Sequence, residues 1–315
     1  MLNESLVKCE EKSLINKKSI IKNKKIKYKK FMGKISPFLF LLPGIIFTLW
    51  LRYIPIFKSF YMSLFRYDAI NPPGEFVGLK NYANLFQTQF YWDAWKNTFV
   101  FLILSLTLVF FVPIIQALFL NEILKGKKLF TTIYLVTALI PMSVNVIIWK
   151  WIWSPDYGLA NQILKFFGAE PQLWLSNPDL TKFAIIFPGV IGGGIAVLMY
   201  TAAIQGIPAE IFEAAELDGC TGFKKIRHII LPNIIFIIII QLVLAVIGAM
   251  QILDAPYQFA SGGPSGSSTS MGIFIYNAFK QDLDYGKGAA ASMILFVVIA
   301  IMTIFQMKLD KSERN

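Results

Sequence analysis

The sequence predicts an all-α, polytopic membrane protein with six transmembrane helices and both termini in the cytoplasm. Hydrophobic residues make up 56% of the 315 residues, and the mean hydropathy is +0.57. Charged residues make up 16%, well below the roughly 25% of soluble domains. Six apolar runs each approach the ~20 residues that a helix needs to cross a bilayer. The predicted spans are Ser36–Phe57, Thr98–Leu120, Thr131–Trp151, Phe183–Ile204, Asn233–Leu253 and Ala289–Met307.

Basic residues set the predicted orientation, because cytoplasmic loops are enriched in Lys and Arg. The formal net charge is +11, and most of it lies in a lysine-rich stretch before the first span. With six spans, the same side also receives the Lys125–Lys128 loop, the Lys224–Arg227 cluster and the carboxy-terminal tail. The opposite side receives segments 68–75, 156–179 and 254–284, which show no such enrichment. The sequence therefore predicts a multi-pass protein of the cell membrane.

Composition divides the chain into four segments. Residues 1–35 form a basic cytoplasmic tail, 36–92 the first span and its outer segment, 93–309 a core with the other spans, and 310–315 a short tail. A lysine run such as the one in 1–35 is found in nucleic-acid-binding arms. It also marks the cytoplasmic flank of a membrane span, where it contacts anionic lipid. The long apolar sequence that follows favours the membrane interpretation, so no nucleic-acid partner is predicted.

The polar residues do not form a catalytic or metal site. The two cysteines, Cys9 and Cys220, give no disulfide framework. The single histidine, His228, has no cluster of cysteines or acids at metal-ligand spacing. No G-x-x-x-x-G-K-[ST] phosphate loop occurs. The sequence therefore predicts no cofactor and no metal, and a protein that is not itself an ATPase.

The stretch 213–232 is a charged, helix-forming insert between two apolar runs. Pro208 stands at a first helical position, and Gly219 at the position that ends a helix in the left-handed conformation. We predict that Thr221 caps a second short helix and that Pro232 closes it, because proline disfavours helix at the preceding residue. The prediction is a helix–turn–helix outside the bilayer.

The insert also carries a motif, E-A-A-x3-G-x9-I-x-L-P. Its residues are Glu213, Ala214, Ala215, Gly219, Ile229, Leu231 and Pro232. This constellation resembles the EAA loop of permease subunits of binding-protein-dependent ABC importers. The resemblance extends from Pro37 to about Leu309 and is closest to the sugar-transporting, maltose-type permeases.

The resemblance implies the type I importer permease fold, with the EAA loop (residues 207–232) docked into a cytoplasmic ATPase subunit that binds the ATP. It also implies a second permease subunit, usually a different chain, and an extracytoplasmic solute-binding protein that delivers a sugar. From the residues alone, the motif helix is equally an amphipathic helix on the membrane surface. As a docking element, its exposed alanines allow close approach and Glu213 offers a charged contact.

Several residues in or near the spans are candidates for a sugar pathway. The candidates are Asn145, Trp149, Gly193, Gln251, Asp254 and Tyr257. Asn145 is polar within a span, whereas Trp149 fits an interfacial aromatic belt or a surface that stacks on a sugar ring. Gly189 and Gly193 form a G-x-x-x-G that suits close helix packing or a broken helix near substrate. Asp254 either accepts hydrogen bonds from sugar hydroxyls or lies in the interface.

Two other function classes compete with the importer permease. An ion-coupled secondary transporter or channel subunit needs ionisable residues within the spans, and the sequence has almost none there. A membrane-anchored nucleic-acid binder leaves five spans without a role.

Overall fold

The computed structural model describes residues 38, 40–68, 70, 74–122 and 126–313, with side chains up to 308. The predicted basic tail, the start of the predicted first span, Lys125 and the end of the carboxy-terminal tail lie outside the described residues. Within the described ranges, regular structure is helical apart from two isolated β-bridges, Phe65–Phe76 and Asp68–Asp284.

The helices follow the predicted order. Long helices are α1 (Phe40–Ser63), α3 (Gln89–Glu122), α10 (Phe223–Met250) and α13 (Tyr285–Glu313). Two bent pairs are α4 (Lys127–Leu139) with α5 (Met142–Ile152), and α7 (Pro178–Ile191) with α8 (Gly194–Gln205). Shorter helices are α2 (Lys80–Gln87), α6 (Leu159–Phe166), α9 (Ala209–Leu217), α11 (Asp254–Ala260) and α12 (Met271–Lys280). Among the described residues, four helices are long and apolar enough to cross a membrane, and up to six spans result if each bent pair counts as one.

The predicted third span is not a continuous helix. Its two halves, α4 and α5, meet at 97°. Pro141 lies at the break, and Ile140 before it is extended with ψ of 122°. Proline clashes with a helical conformation of the preceding residue, so this break has a local cause that hydropathy does not register.

The chain forms two compact units, Met1–Ser59 and Phe60–Asn315. The described part of the first unit belongs to α1 and includes a π-helical turn at Leu49–Tyr53. Pro55 follows this turn two residues later. A π-turn accommodates a residue that lacks a backbone N–H, because its hydrogen-bond register is already interrupted.

In the second unit, the EAA loop lies at the end of the helices where α3 finishes and α4 begins. Lys127 donates a hydrogen bond to Asn121 Oδ1 over 3.2 Å across that connection. A buried apolar cluster joins Leu120, Ile207 and Ile230 from α3, the α8–α9 connection and α10. We call this the EAA-loop end.

The loops predicted on the other side of the membrane gather at the opposite end of the second unit. Asn97 of α3 donates hydrogen bonds to the carbonyls of Gly266 and Thr269, each over 3.0 Å. Gly286 at the start of α13 donates to the carbonyl of Tyr67 over 2.9 Å. The distribution of loops between two ends therefore follows the predicted alternation.

A buried amide holds the segment between α5 and α7 at this opposite end. Asn161 is fully buried, and its Nδ2 donates to the carbonyls of Pro155 and Gln172 over 3.1 and 3.0 Å. Its Oδ1 accepts from Gln172 N–H over 3.0 Å and from Trp174 Nε1 over 2.8 Å. All the polar atoms of this amide are paired, so Asn161 organises the loop without an energetic penalty for burial.

Candidate coupling loop and substrate pathway

The first half of the EAA loop has the predicted helix and turn. α9 runs from Ala209 to Leu217, and Pro208 precedes it as the N-cap, one position before the predicted one. Gly219 is the second residue after α9 and has φ of +71°. Its N–H donates to the carbonyl of Glu216 over 3.1 Å, and Cys220 N–H donates to that of Ala215 over 2.8 Å. These two bonds are those of a Schellman motif, which requires a left-handed residue at this position.

The second half of the loop differs from the prediction. Thr221 does not cap the next helix, which begins after Gly222 with no side-chain cap. Pro232 does not close it either, because α10 is continuous from Phe223 to Met250. The preceding turn, Ile226–Ile230, is π-helical. A π-turn relieves the crowding between a proline ring and the carbonyl of the previous turn, so the helix passes through Pro232.

The motif residues Ile229, Leu231 and Pro232 therefore belong to the first turns of the fifth span rather than to the end of a separate helix. Ile230, between them, is buried and packs with Ile234 in the cluster at the EAA-loop end. The I-x-L-P part of the motif thus lies where the loop joins the bundle.

The faces of α9 are also different from those predicted. Glu213 and Ala214 are exposed as expected, but Ala215 is only 8% exposed and packs against the rest of the chain. Leu217, two residues later, is 90% exposed, and Phe223 at the start of α10 is 75% exposed. Two residues correspond to about 200° around a helix, so Leu217 points away from the side that Ala215 buries. Sequence reasoning missed both exposed apolar residues, although an isolated leucine among acids in an extramembrane helix was the available signal.

The fourth span is broken at its glycines. α7 and α8 are bent by 43°, and Gly193 between them has φ of +107°. A Cβ on Gly193 would lie 2.6 Å from Oε1 of Gln116, and one on Gly194 would lie 2.7 Å from Cβ of Ala138. The helix is therefore both broken and closely packed, so the two interpretations of this glycine-rich stretch are compatible.

Gln116 of α3 was not predicted from the sequence. Its Oε1 is buried next to Gly193, with no hydrogen-bond partner among the residues that the structure describes. The first N–H groups of a helix have no partner within the helix, and α8 begins at this point. The α7–α8 break thus combines a polar side chain with the free donor end of a helix inside an apolar bundle.

The two candidates on α5 have different environments. Asn145 is exposed. Trp149 is 8% exposed and packs against Trp153 and Phe187, with ring centroids 5.3 and 5.8 Å away. Trp149 also lines an apolar cavity of about 610 Å³. Trp149 therefore packs among apolar side chains beside this cavity, while Trp151, at 56% exposure, fits the interfacial belt.

The three candidates at the end of the fifth span are separated in the structure. α10 ends at Met250, before the predicted Leu253, and exposed Gln251 follows it directly. Asp254 and Tyr257 lie on the separate helix α11. Interaction with Tyr276, whose ring centroid is 5.0 Å away, raises the pKa of Tyr257 above its ordinary value, chiefly through a side-chain hydrogen bond.

Residues 98–315 match the family of binding-protein-dependent transport system inner membrane components. The chain belongs to this family. It is 32% identical to the probable ABC transporter permease protein YurN of Bacillus subtilis over 90% of this chain and 98% of that protein. It is also 32% identical to the trehalose/maltose transport system permease protein MalF of Thermococcus litoralis, over 92% and 98%.

The fold agrees with this assignment. A bacterial ABC transporter that imports the acidic polysaccharide alginate has a chain with TM-score 0.80 and 25% sequence identity, over 91% of this chain and 99% of that one. The protein is thus an ABC importer permease, a multi-pass protein of the plasma membrane and not an enzyme. This excludes the alternative of an ion-coupled transporter or channel.

Proposed function

We propose that this permease subunit forms part of the pathway for a sugar or oligosaccharide. Relatives carry the names of permeases for trehalose/maltose, arabinooligosaccharides and galactooligosaccharides. An alginate transporter of the same fold has been solved with a pentasaccharide-bound periplasmic protein. An extracytoplasmic solute-binding protein delivers the sugar, and a second permease subunit completes the pathway.

The observation that carries the coupling role is the exposed surface of the EAA loop. Glu213, Ala214, Leu217 and Phe223 are exposed around the turn at Gly219. We propose that this surface docks into a cleft of the ATPase subunit, with Ile229, Leu231 and Pro232 joining it to the fifth span. Ala215 contributes by packing α9 onto its own chain. Apolar side chains at the centre of an interface carry much of its binding energy.

The proposed mechanism is alternating access. Closure of two ATPase subunits on ATP draws the coupling loops of two permeases together and opens the pathway towards the binding protein. Release or hydrolysis of ATP reverses the movement. The EAA-loop end is cytoplasmic in this arrangement, with both termini on that side.

The proposed pathway centres on the α7–α8 break at Gly193, where Gln116 and free N–H groups offer hydrogen bonds to sugar hydroxyls. Broken helices supply such groups at mid-membrane in transporters. Asn145, Trp149, Gln251, Asp254 and Tyr257 remain candidates. Of these, Asp254 and Tyr257 suit contacts at the opposite end of the bundle rather than within a span.

Uptake into membrane vesicles tests this function. We expect accumulation of at least one radiolabelled sugar from a panel of maltose, trehalose, an arabinooligosaccharide and a galactooligosaccharide. Accumulation should require ATP and the cognate binding protein and should persist when an ionophore collapses ion gradients. Uptake that an ionophore abolishes while ATP is present would contradict the proposal.

A further inference from the structure

We infer that Lys225 is a positioning residue that ties the coupling helix α9 to the end of α3. Its ammonium lies 3.9 Å from Glu216 Oε1 of α9 and 3.9 Å from Oε1 of Glu122, the last residue of α3. Lys225 itself lies in the first turn of α10. One cation thus touches three elements that meet at the EAA-loop end. The inference rests on the proposed coupling function of the loop.

The surroundings of Lys225 make it the centre of this contact. Its Nζ also lies 5.0 Å from the ring centroid of Phe212 on α9, within the range of a cation–π interaction. The Lys225 side chain is 22% exposed, whereas those of Glu122 and Glu216 are 66% and 61% exposed. The ammonium therefore lies between α9 and α3, and its side chain is more buried than the two acidic side chains that it pairs with. The adjacent Lys224 is exposed.

Packing beneath this contact is incomplete. A cavity of about 220 Å³ lies between α3 and the π-helical turn of α10, lined in part by Phe119, Glu122, Ile226 and Ile230. π-turns inside α-helices often occur at functional sites. The apolar surfaces of α3 and α10 therefore leave a gap here, and the Lys225 contacts bridge the two elements beside it.

This arrangement gives the coupling helix a second route into the bundle. A displacement of α9 is transmitted to α10 through the backbone. It is transmitted to α3 through the contact between Lys225 and Glu122. Gln116 lies six residues before Glu122 on α3, about 9 Å along the helix axis, and faces the α7–α8 break at Gly193. Lys225 thus connects the docking loop to the helix that borders the proposed pathway. Ion pairs with exposed carboxylates such as Glu122 and Glu216 contribute little to folding stability, so we expect the loss of the Lys225 charge to affect the position of α9 more than the folding of the chain.

The functional test uses the complete importer in nanodiscs with Lys225→Gln, which removes the charge and keeps a polar side chain. We expect unchanged association with the ATPase subunit and about a fivefold fall in sugar imported per ATP hydrolysed, the lower range of couplings between sites. The sugar is the one of the panel above that the unsubstituted complex imports. The matched control Lys224→Gln should leave this ratio unchanged, and Lys225→Arg should restore it.

The coupling should also be shared with Glu122. If the two residues act through their contact, Glu122→Gln lowers the same ratio, and Glu122→Gln combined with Lys225→Gln is no worse than Lys225→Gln alone. A Lys225→Gln variant that matches Lys224→Gln in the ratio overturns the inference. So does loss of ATPase association, which would make Lys225 a docking residue.

A distance measurement tests the position directly and does not depend on the sugar. Spin labels at Asp218→Cys and Phe119→Cys, with Cys9 and Cys220 replaced by serine, report the separation of the α9–α10 turn from α3. We expect Lys225→Gln to broaden the distance distribution and Lys224→Gln to leave it unchanged. Equal distributions in both variants overturn the inference. Failure of the unsubstituted complex to import a sugar with ATP would count against the proposed function. The distance measurement would still test the role of Lys225 in that case.

Discussion

At the residue scale, the two alanines of the EAA motif have different environments on one short helix. Ala214 and Ala215 are adjacent in the motif, yet Ala214 is exposed and Ala215 is buried. A small side chain at Ala215 lets α9 lie close to the bundle. Leu217 is the most exposed large apolar residue of α9, at 90%, and we propose that it contacts the partner.

We therefore predict that Leu217→Ser weakens association with the ATPase subunit. Loss of a central apolar contact costs about 2 kcal/mol, roughly a thirtyfold drop in affinity. The free energy of unfolding should change by no more than about 0.5 kcal/mol, because the side chain is exposed. Co-purification of the ATPase with the tagged permease measures the effect.

The matched control for this change is Leu173→Ser, at a leucine that is 54% exposed at the opposite end of the second unit. It should leave ATPase association unchanged. Equal association in Leu217→Ser and Leu173→Ser would remove Leu217 from the docking surface.

At the scale of an element, the turn after α9 depends on one backbone conformation. Gly219 has φ of +71°, and a Cβ there would meet nothing within 4 Å. Proline fixes φ near −65° and cannot donate the hydrogen bond to Glu216, so Gly219→Pro should abolish uptake while the protein reaches the membrane. Gly219→Asn should retain most uptake, because asparagine adopts the left-handed conformation. Normal uptake by the proline variant would contradict the role of this turn.

The α7–α8 break likewise requires a left-handed backbone conformation at Gly193. Alanine there is strained by the positive φ, which costs about 1–2 kcal/mol, and its Cβ overlaps Gln116 Oε1 at 2.6 Å. We predict that Gly193→Ala lowers thermal stability and strongly reduces uptake. Gly248→Ala on α10 is the control, because its Cβ meets nothing within 4 Å and alanine favours helix by about 0.5–1 kcal/mol. Indistinguishable melting temperatures for the two variants would argue against strain at the break.

These elements show what the sequence could and could not predict. Hydropathy located the helices, and the left-handed position of Gly219 followed from its place after an alanine-rich helix. The sequence did not reveal that α10 continues through Pro232, or that the third span bends by 97° at Pro141. Both sites have a proline, yet the outcomes differ. The backbone before the two prolines differs. The turn before Pro232 is π-helical, whereas Ile140, directly before Pro141, is extended. The burial of Ala215 and Gln116 did not follow from the sequence either, because tertiary packing sets it.

At the scale of the whole molecule, the two ends of the second unit present different chemistry. The EAA-loop end carries the proposed docking surface, with exposed Leu217 and Phe223. The opposite end carries a polar cavity of about 400 Å³ between α3, α7 and residues 265–267 of the Gly/Ser-rich segment 261–270. Lys182 donates to the carbonyl of Ser267 there over 2.8 Å and to Asn97 Oδ1 over 3.3 Å. An importer needs such a difference, because its two faces bind different partners.

The predicted orientation of these two ends across the membrane depends on the distribution of basic residues. Most of the net charge of +11 lies in the lysine-rich stretch before the first span, so this stretch dominates the positive-inside signal. If that stretch is cytoplasmic, the alternation of spans places Lys128 inside and Ser265 outside. We predict that a membrane-impermeant thiol reagent labels Ser265→Cys in intact cells and does not label Lys128→Cys, with Cys9 and Cys220 replaced by serine. Both positions are exposed, so Lys128→Cys should react once the cells are opened. Labelling of Lys128→Cys rather than Ser265→Cys in intact cells would place the EAA loop outside, away from any cytoplasmic ATPase.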